Sequence, residues 1–355
     1  ASCVSAAADS LKTRSPAACP SSMFTRFSPS TSNSTNESGS PARADSAKDV
    51  QCSGCIASSA VAFTYAASDS KGGAAKKAKL DLTGIFQTFD GRPSQAPGAW
   101  TNFRGADFSN VVTGTPKLAD SWGEGGPKVL WKVPVGDGYA SPAVLDGRVY
   151  LMDYDTKNRA DAVRCMSLDD GKEIWRRSYN NNIKRNHGMS RTIPAVTKDF
   201  LVVMGPKCHL LCLDTATGDF KWGLDLQADY GTVEPLWYTG QCPIIDNGQA
   251  IVAPCGKDIL MMGVDCATGE IKWKVPNPNG WNMSHASIVP MTLLGKKMYV
   301  YGALGGMVGV SADSATLGTL LWEIPWDAKV VAPSAIPAGD DSIFATTGYG
   351  RGSRM

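Results

Sequence analysis

Five tryptophans, Trp131, Trp175, Trp222, Trp273 and Trp322, recur at intervals of 44, 47, 51 and 49 residues. A period of about 40–50 residues with one tryptophan per unit marks the blades of a propeller. The last four share a stencil of small or acidic residues followed by a glycine, and Gly171, Gly218, Gly269 and Gly318 each stand four positions before their tryptophan. Asp and Thr ahead of a glycine build a tight turn, because their side chains bond the local backbone. The glycine takes the positive-φ corner. The tryptophan then returns in an outer strand and packs between neighbouring blades. All five tryptophans, with Gly218 and Gly269, therefore read as blade structure.

Each unit divides into four apolar runs of strand length separated by turn residues. The first has runs at 141–145, 148–155, 162–168 and 173–179. The second has them at 192–197, 200–205, 209–214 and 220–226, and the third at 242–245, 250–254, 259–264 and 271–275. The fourth has them at 287–294, 297–303, 307–311 and 320–324. A half unit follows at 333–337 and 342–346, and residues 130–133 stand as a lone outer strand that would complete a last blade. The expected fold is all-β, a propeller of four-stranded antiparallel blades with about four full blades plus partial ones. Closed propellers have roughly 4–8 blades, so the chain reads as a fragment truncated at its C-terminus.

The apolar fraction of 43% supports a large core, and the net charge of +2 points away from nucleic acid. No apolar run reaches the ~18 residues of a spanning helix. Residues 1–97 read as a leader and linker, and 98–355 as the propeller. The Ser-, Ala- and Pro-rich stretch 1–55 is expected to be disordered. The apolar run 56–67 is similar to the centre of a secretory signal, which points to export to the periplasm or beyond. Cys52 and Cys55 form a Cys-x-x-Cys without a following His, so it is not a haem attachment site. Cys165 and Cys212 hold equivalent positions and read as small buried hydrophobes. Cys242 and Cys255 flank an Asp-Asn-Gly turn, where either a cross-strand disulfide or two free thiols fit. No metal site is expected.

The run Trp100-Thr101-Asn102-Phe103-Arg104-Gly105, then Leu130-Trp131-Lys132-Val133, then Tyr139-Ala140-Ser141-Pro142-Ala143-Val144, resembles the bacterial proteins with pyrroloquinoline-quinone-like (PQQ-like) propeller repeats. So does the stencil 213–222. The resemblance covers roughly residues 98–355. It implies a propeller that is either a binding or assembly scaffold, like the outer-membrane assembly lipoprotein, or a quinoprotein dehydrogenase oxidising an alcohol or sugar with PQQ and calcium. The dehydrogenase branch carries adjacent cysteines, and no two cysteines are adjacent here.

Ligand chemistry in a propeller sits on the loops at one mouth. Those leading from an outer strand to the next inner strand carry His187 and Arg191, then Glu234, Trp237 and Tyr238, then Trp281 and His285. Trp237, Tyr238 and Trp281 would stack on a flat ligand, with Arg191, Glu234 and His285 bonding its polar edge. His187 or His285 would serve as a general base near neutral pH. The occupant would be a protein partner or a small polar ligand. The aromatic loops also fit a carbohydrate-binding propeller. His209, at a strand start between Cys208 and Leu210, reads as structural.

Overall fold

The computed structural model of the chain describes residues 80–112, 119–184 and 188–355. The leader 1–55 and the apolar run 56–67 lie outside the described residues. Blade 1 contains β1 (Ile85–Thr88), β2 (Ala143–Leu145), β3 (Arg148–Asp155), β4 (Ala160–Ser167) and β5 (Glu173–Asn180), in the order β1-β5-β4-β3-β2. Blade 2 has β6 (Ala195–Val196), β7 (Phe200–Met204), β8 (His209–Asp214) and β9 (Phe220–Asp225), followed by a short helix α1 (Leu226–Tyr230). Blade 3 has β10 (Ile244–Asp246), β11 (Gln249–Val252), β12 (Ile259–Asp265) and β13 (Ile271–Pro276). Blade 4 has β14 (Val289–Leu293), β15 (Lys296–Ala303), β16 (Gly305–Ser311) and β17 (Leu320–Trp326). A last, three-stranded sheet joins β18 (Ile336–Pro337), β19 (Ile343–Thr346) and β20 (Ser353–Arg354). Pairing within the blades is antiparallel and, apart from β1 on β5, sequential, so each blade is a meander of local hairpins to which blade 1 adds β1.

The third strands are largely buried, and every residue of β4 is buried, Asp161, Arg164 and Ser167 included. Burial on both faces is why β8 and β12 read as near-continuous apolar runs. The outer strands β13 and β17 are mostly exposed. One apolar core passes through blades 2, 3 and 4, and a second joins blades 1 and 2 through Tyr150, Trp175, Leu201 and Leu213.

The stencil has the same geometry in successive blades. The Asp214 carboxylate accepts from the amides of Ala216 and Thr217 at 3.0 Å, and Asp265 accepts from those of Ala267 and Thr268 at 2.9 Å. Glycines 171, 218, 269 and 318 have φ between 71° and 79°. The register of each third strand against its outer strand then slips at the equivalent place, Cys165/Met166, Cys212/Leu213, Gly263/Val264 and Gly309/Val310, and blade 3 has a second slip at Ile259/Met261. This repeated bulge, just before each tryptophan, turns the indole toward the next blade. A Cβ on Gly218 would lie 2.7 Å from the Trp175 ring, on Gly269 2.8 Å from Trp222, and on Gly318 2.8 Å from Trp273. Trp175, Trp222 and Trp273 thus each rest on the turn glycine of the following blade. Within their own blades Trp175, Trp222, Trp273 and Trp322 stand opposite a small residue of the third strand, which is Cys165, Cys212, Gly263 or Gly309.

Two sequence expectations change. Residues 130–133 form no strand. Trp131 still packs on the next turn glycine, its ring 2.6 Å from where a Cβ on Gly171 would be, and like Trp222 it donates its Nε1 to a carbonyl, that of Leu168 at 2.9 Å. Strand pairing at the outer edge of blade 1 comes instead from β1, whose residues pair with Trp175–Ser178 of β5. This strand lies within the stretch expected to be linker, and Leu82 just before it is buried in the core. Ordered structure therefore begins before the expected boundary at residue 98.

Candidate functional site

The loops between an outer strand and the next inner strand meet at one mouth, and their register is set by a relay of hydrogen bonds. The Ile193 amide donates to Cys242 Sγ at 3.2 Å, the Cys242 amide to Ser287 Oγ at 3.0 Å, and the Ser287 amide to Ser334 Oγ at 2.9 Å. Each residue stands at the entry to an inner strand, and each donates to its counterpart in the next blade. Cys242 is therefore an acceptor in the relay, and both Cys242 and Cys255 are free and buried, so no disulfide joins them.

Two positions before Ile193, Cys242 and Ser287 stand Arg191, Gly240 and His285, and Tyr139 stands two before Ser141, the residue that matches Ile193 in blade 1. This register brings the side chains of Tyr139, Arg191 and His285 near one another. The Arg191 guanidinium carbon lies 5.3 Å from the centre of the exposed Tyr139 ring. Tyr139 is fixed by its amide, which donates to the Ser190 carbonyl at 2.7 Å. Burial lowers the Arg191 pKa, against the opposing charges of Tyr139 and Tyr238. His285 is half-buried, and its amide donates to the Val331 carbonyl at 3.0 Å. Burial first, and then the Arg191 charge, hold its pKa below the usual histidine value, so the imidazole is neutral at neutral pH.

Trp237 comes from the loop after α1. Asp225 caps that helix by accepting from the amides of Gln227 and Ala228, each at 3.1 Å, and Gly231 ends it at φ 72°. The Trp237 ring stacks on His285 with centroids 5.6 Å apart, and the exposed Tyr349 ring lies 6.1 Å from it on a tilt. Leu236 and Val233 are exposed beside it at 62% and 56%. A cavity of about 440 Å³ is lined by Ser141, by the relay residues Ile193 and Ser334, and by Trp100, Phe103 and Arg104.

The expected site residues divide accordingly. Arg191, Trp237 and His285 converge. Trp281 does not join them: it is buried in the core, over Gly305 and Gly306, and Asn277 clasps its backbone with a donated bond at 2.9 Å and an accepted one at 3.0 Å. Tyr238 is 5% exposed, packs on Tyr154, Ile183 and Met189, and gives its hydroxyl to the Lys184 carbonyl, so it forms the wall and not a stacking face. Glu234 accepts from Gln227 Nε2 at 3.3 Å and braces the loop. His187 lies outside the described residues. Tyr139 and Tyr349 were not anticipated. The repeated entry motif, Tyr139-Ala-Ser-Pro-Ala-Val against Arg191-Thr-Ile-Pro-Ala-Val, is the signal that aligns the first of them with the site.

His209 is buried as expected. Its Nδ1 lies 4.0 Å from Asp161 and its Nε2 4.0 Å from Asp225, and its ring meets Tyr179 edge-on at 5.5 Å. Among the described residues, no group of three or more His, Cys, Asp or Glu side chains is placed to hold a metal ion. No described helix is long and apolar enough to cross a membrane.

Blades of four antiparallel strands, stacked through stencil tryptophans and presenting loops at a common mouth, define a β-propeller protein with PQQ-like repeats. A family model described as outer membrane protein assembly factor BamB matches residues 159–353, and the chain belongs to that family. Among solved structures, BamB from Moraxella catarrhalis is 15% identical with a TM-score of 0.39, over 59% of this chain and 58% of that one. Quinohemoprotein alcohol dehydrogenase ADHIIG from Pseudomonas putida HK5 is 16% identical with a TM-score of 0.40, over 62% of this chain and 41% of that one. The Comamonas testosteroni quinohemoprotein alcohol dehydrogenase is 15% identical with a TM-score of 0.41, over 60% and 40%. The match thus spans 40–58% of the length of these three proteins. No curated protein sequence matches the chain.

Proposed function

We propose that the chain is an exported binding scaffold that holds a segment of a partner protein at the mouth of the propeller. The observation that carries this reading is the convergence of Trp237, stacked on His285, with exposed Tyr349, Leu236 and Val233. Exposed aromatic and aliphatic side chains on a firmly held backbone give contact area at small entropic cost, and such residues anchor interfaces. Export is supported by membership in a family described as an outer membrane protein assembly factor.

The test is selection of binding peptides from a displayed random library, followed by fluorescence polarisation on wild type, W237A and Y349A. The scaffold reading expects each substitution to weaken the selected peptides by at least about tenfold, as truncation of an interface anchor does. Peptides indifferent to both substitutions overturn it. A parallel titration with PQQ and calcium, with dye-linked oxidation of alcohols and sugars, expects no turnover. Turnover would replace the scaffold with a quinoprotein dehydrogenase.

A further inference from the structure

Residues 180–198 contain Lys184, Arg185, Arg191 and Lys198, and no Asp or Glu. Within this basic stretch Arg191 is held in an unusual way. Its Nε and Nη2 are buried and have no hydrogen-bond partner among the described residues. Among the described residues, the phenols of Tyr139 and Tyr238 oppose the effect of its burial. A guanidinium fixed over an aromatic ring with unpaired, desolvated N–H groups is costly unless an anion meets it. Neutral His285 stands within reach of its charge and offers a further hydrogen-bonding edge without adding a second cation. The Trp237 ring stacks on His285 and the Tyr349 ring lies 6.1 Å from Trp237, while Leu236, next in sequence to Trp237, is exposed.

Resting on the scaffold reading above, we infer that the mouth takes an acidic peptide, with a carboxylate on Arg191 and a neighbouring aromatic side chain against Trp237 and Tyr349. The carboxylate supplies the acceptor that the guanidinium lacks, and the aromatic residue covers the exposed apolar edge. Charge and shape thus select the same ligand from two adjacent subsites.

The test compares two labelled libraries of short peptides, one with a fixed Glu-Phe pair and one with Gln-Phe, each titrated against the full chain. The Glu-Phe library is expected to bind at least about tenfold more tightly, as a charge-assisted hydrogen bond contributes. That preference shrinks as salt rises, vanishes in R191Q and survives in part in R191K. The library comparison on wild type decides the matter even if R191Q fails to fold. Equal binding of the two libraries overturns the inference. If that equal binding is lost in W237A, the scaffold reading stands while the carboxylate subsite falls. Binding of neither library overturns both.

Discussion

Trp222 of blade 2 is fastened to Gly269 of blade 3. The indole Nε1 donates to the Cys266 carbonyl at 2.9 Å, and a Cβ on Gly269 would lie 2.8 Å from the ring. Gly269 also has a φ of 78°, so alanine there meets both backbone strain and a clash. G269A is expected to destabilise the fold by about 2–4 kcal/mol. W222A, which empties the same contact, should lose about 3–5 kcal/mol. Denaturant unfolding measures both, and a double variant should fall short of the sum because the two residues share one contact. Full additivity would show that the tryptophan and the glycine do not act on each other.

The relay at the mouth makes a separate prediction. S287A leaves the Cys242 amide without its 3.0 Å acceptor and should destabilise by about 1 kcal/mol. C242V removes the acceptor of the Ile193 amide and should have an effect of similar size, whereas C242S keeps an acceptor and should be milder. Hydrogen exchange should quicken at the orphaned amide in each case. Mass spectrometry of the unreduced protein should find no Cys242–Cys255 bridge.

Asp161 and His209 set opposing pH dependences. Burial raises the Asp161 carboxyl from 3.8 to about 7, although Asn181 donates to it at 2.5 Å. Its contribution to stability is therefore fully present below pH 3.8 and is lost as pH rises through about 7. Burial lowers His209 from 6.5 to about 4, so its contribution is present above pH 6.5 and is lost as pH falls through about 4. Between these limits the two oppose each other. D161N should therefore make stability rise with pH across that window, and H209Q should make it fall. Thermal melts across the window check this, and slopes of the same sign in the two variants would contradict it.

What was legible in the sequence was what is local. The stencil joins Asp, Gly and Trp within a single turn and strand, so blade register followed from spacing alone. The features that were misread depend on partners far along the chain. β1 is an exposed edge whose partner is about ninety residues away, so composition alone placed it in a linker. Trp281 lies in a polar loop, yet it is drawn inward by the bare surface of Gly305 and Gly306. Tyr238 has a φ of 68°, which points its ring into the wall and not across the mouth. Tyr139 precedes the first complete stencil, and only alignment with Arg191 places it at the site. Cys242 reads equally well as a disulfide partner or as a relay acceptor until Ile193 is seen beside it.

The central claim is that the mouth of the propeller is the binding surface. Hydrogen–deuterium exchange, with and without a peptide from the displayed-library selection, tests it most directly. The account predicts protection confined to residues 188–193, 232–240, 282–287 and 345–351, with the outer strands Ile271–Pro276 and Leu320–Trp326 unchanged. Protection on those outer strands instead, with the mouth unchanged, would contradict it.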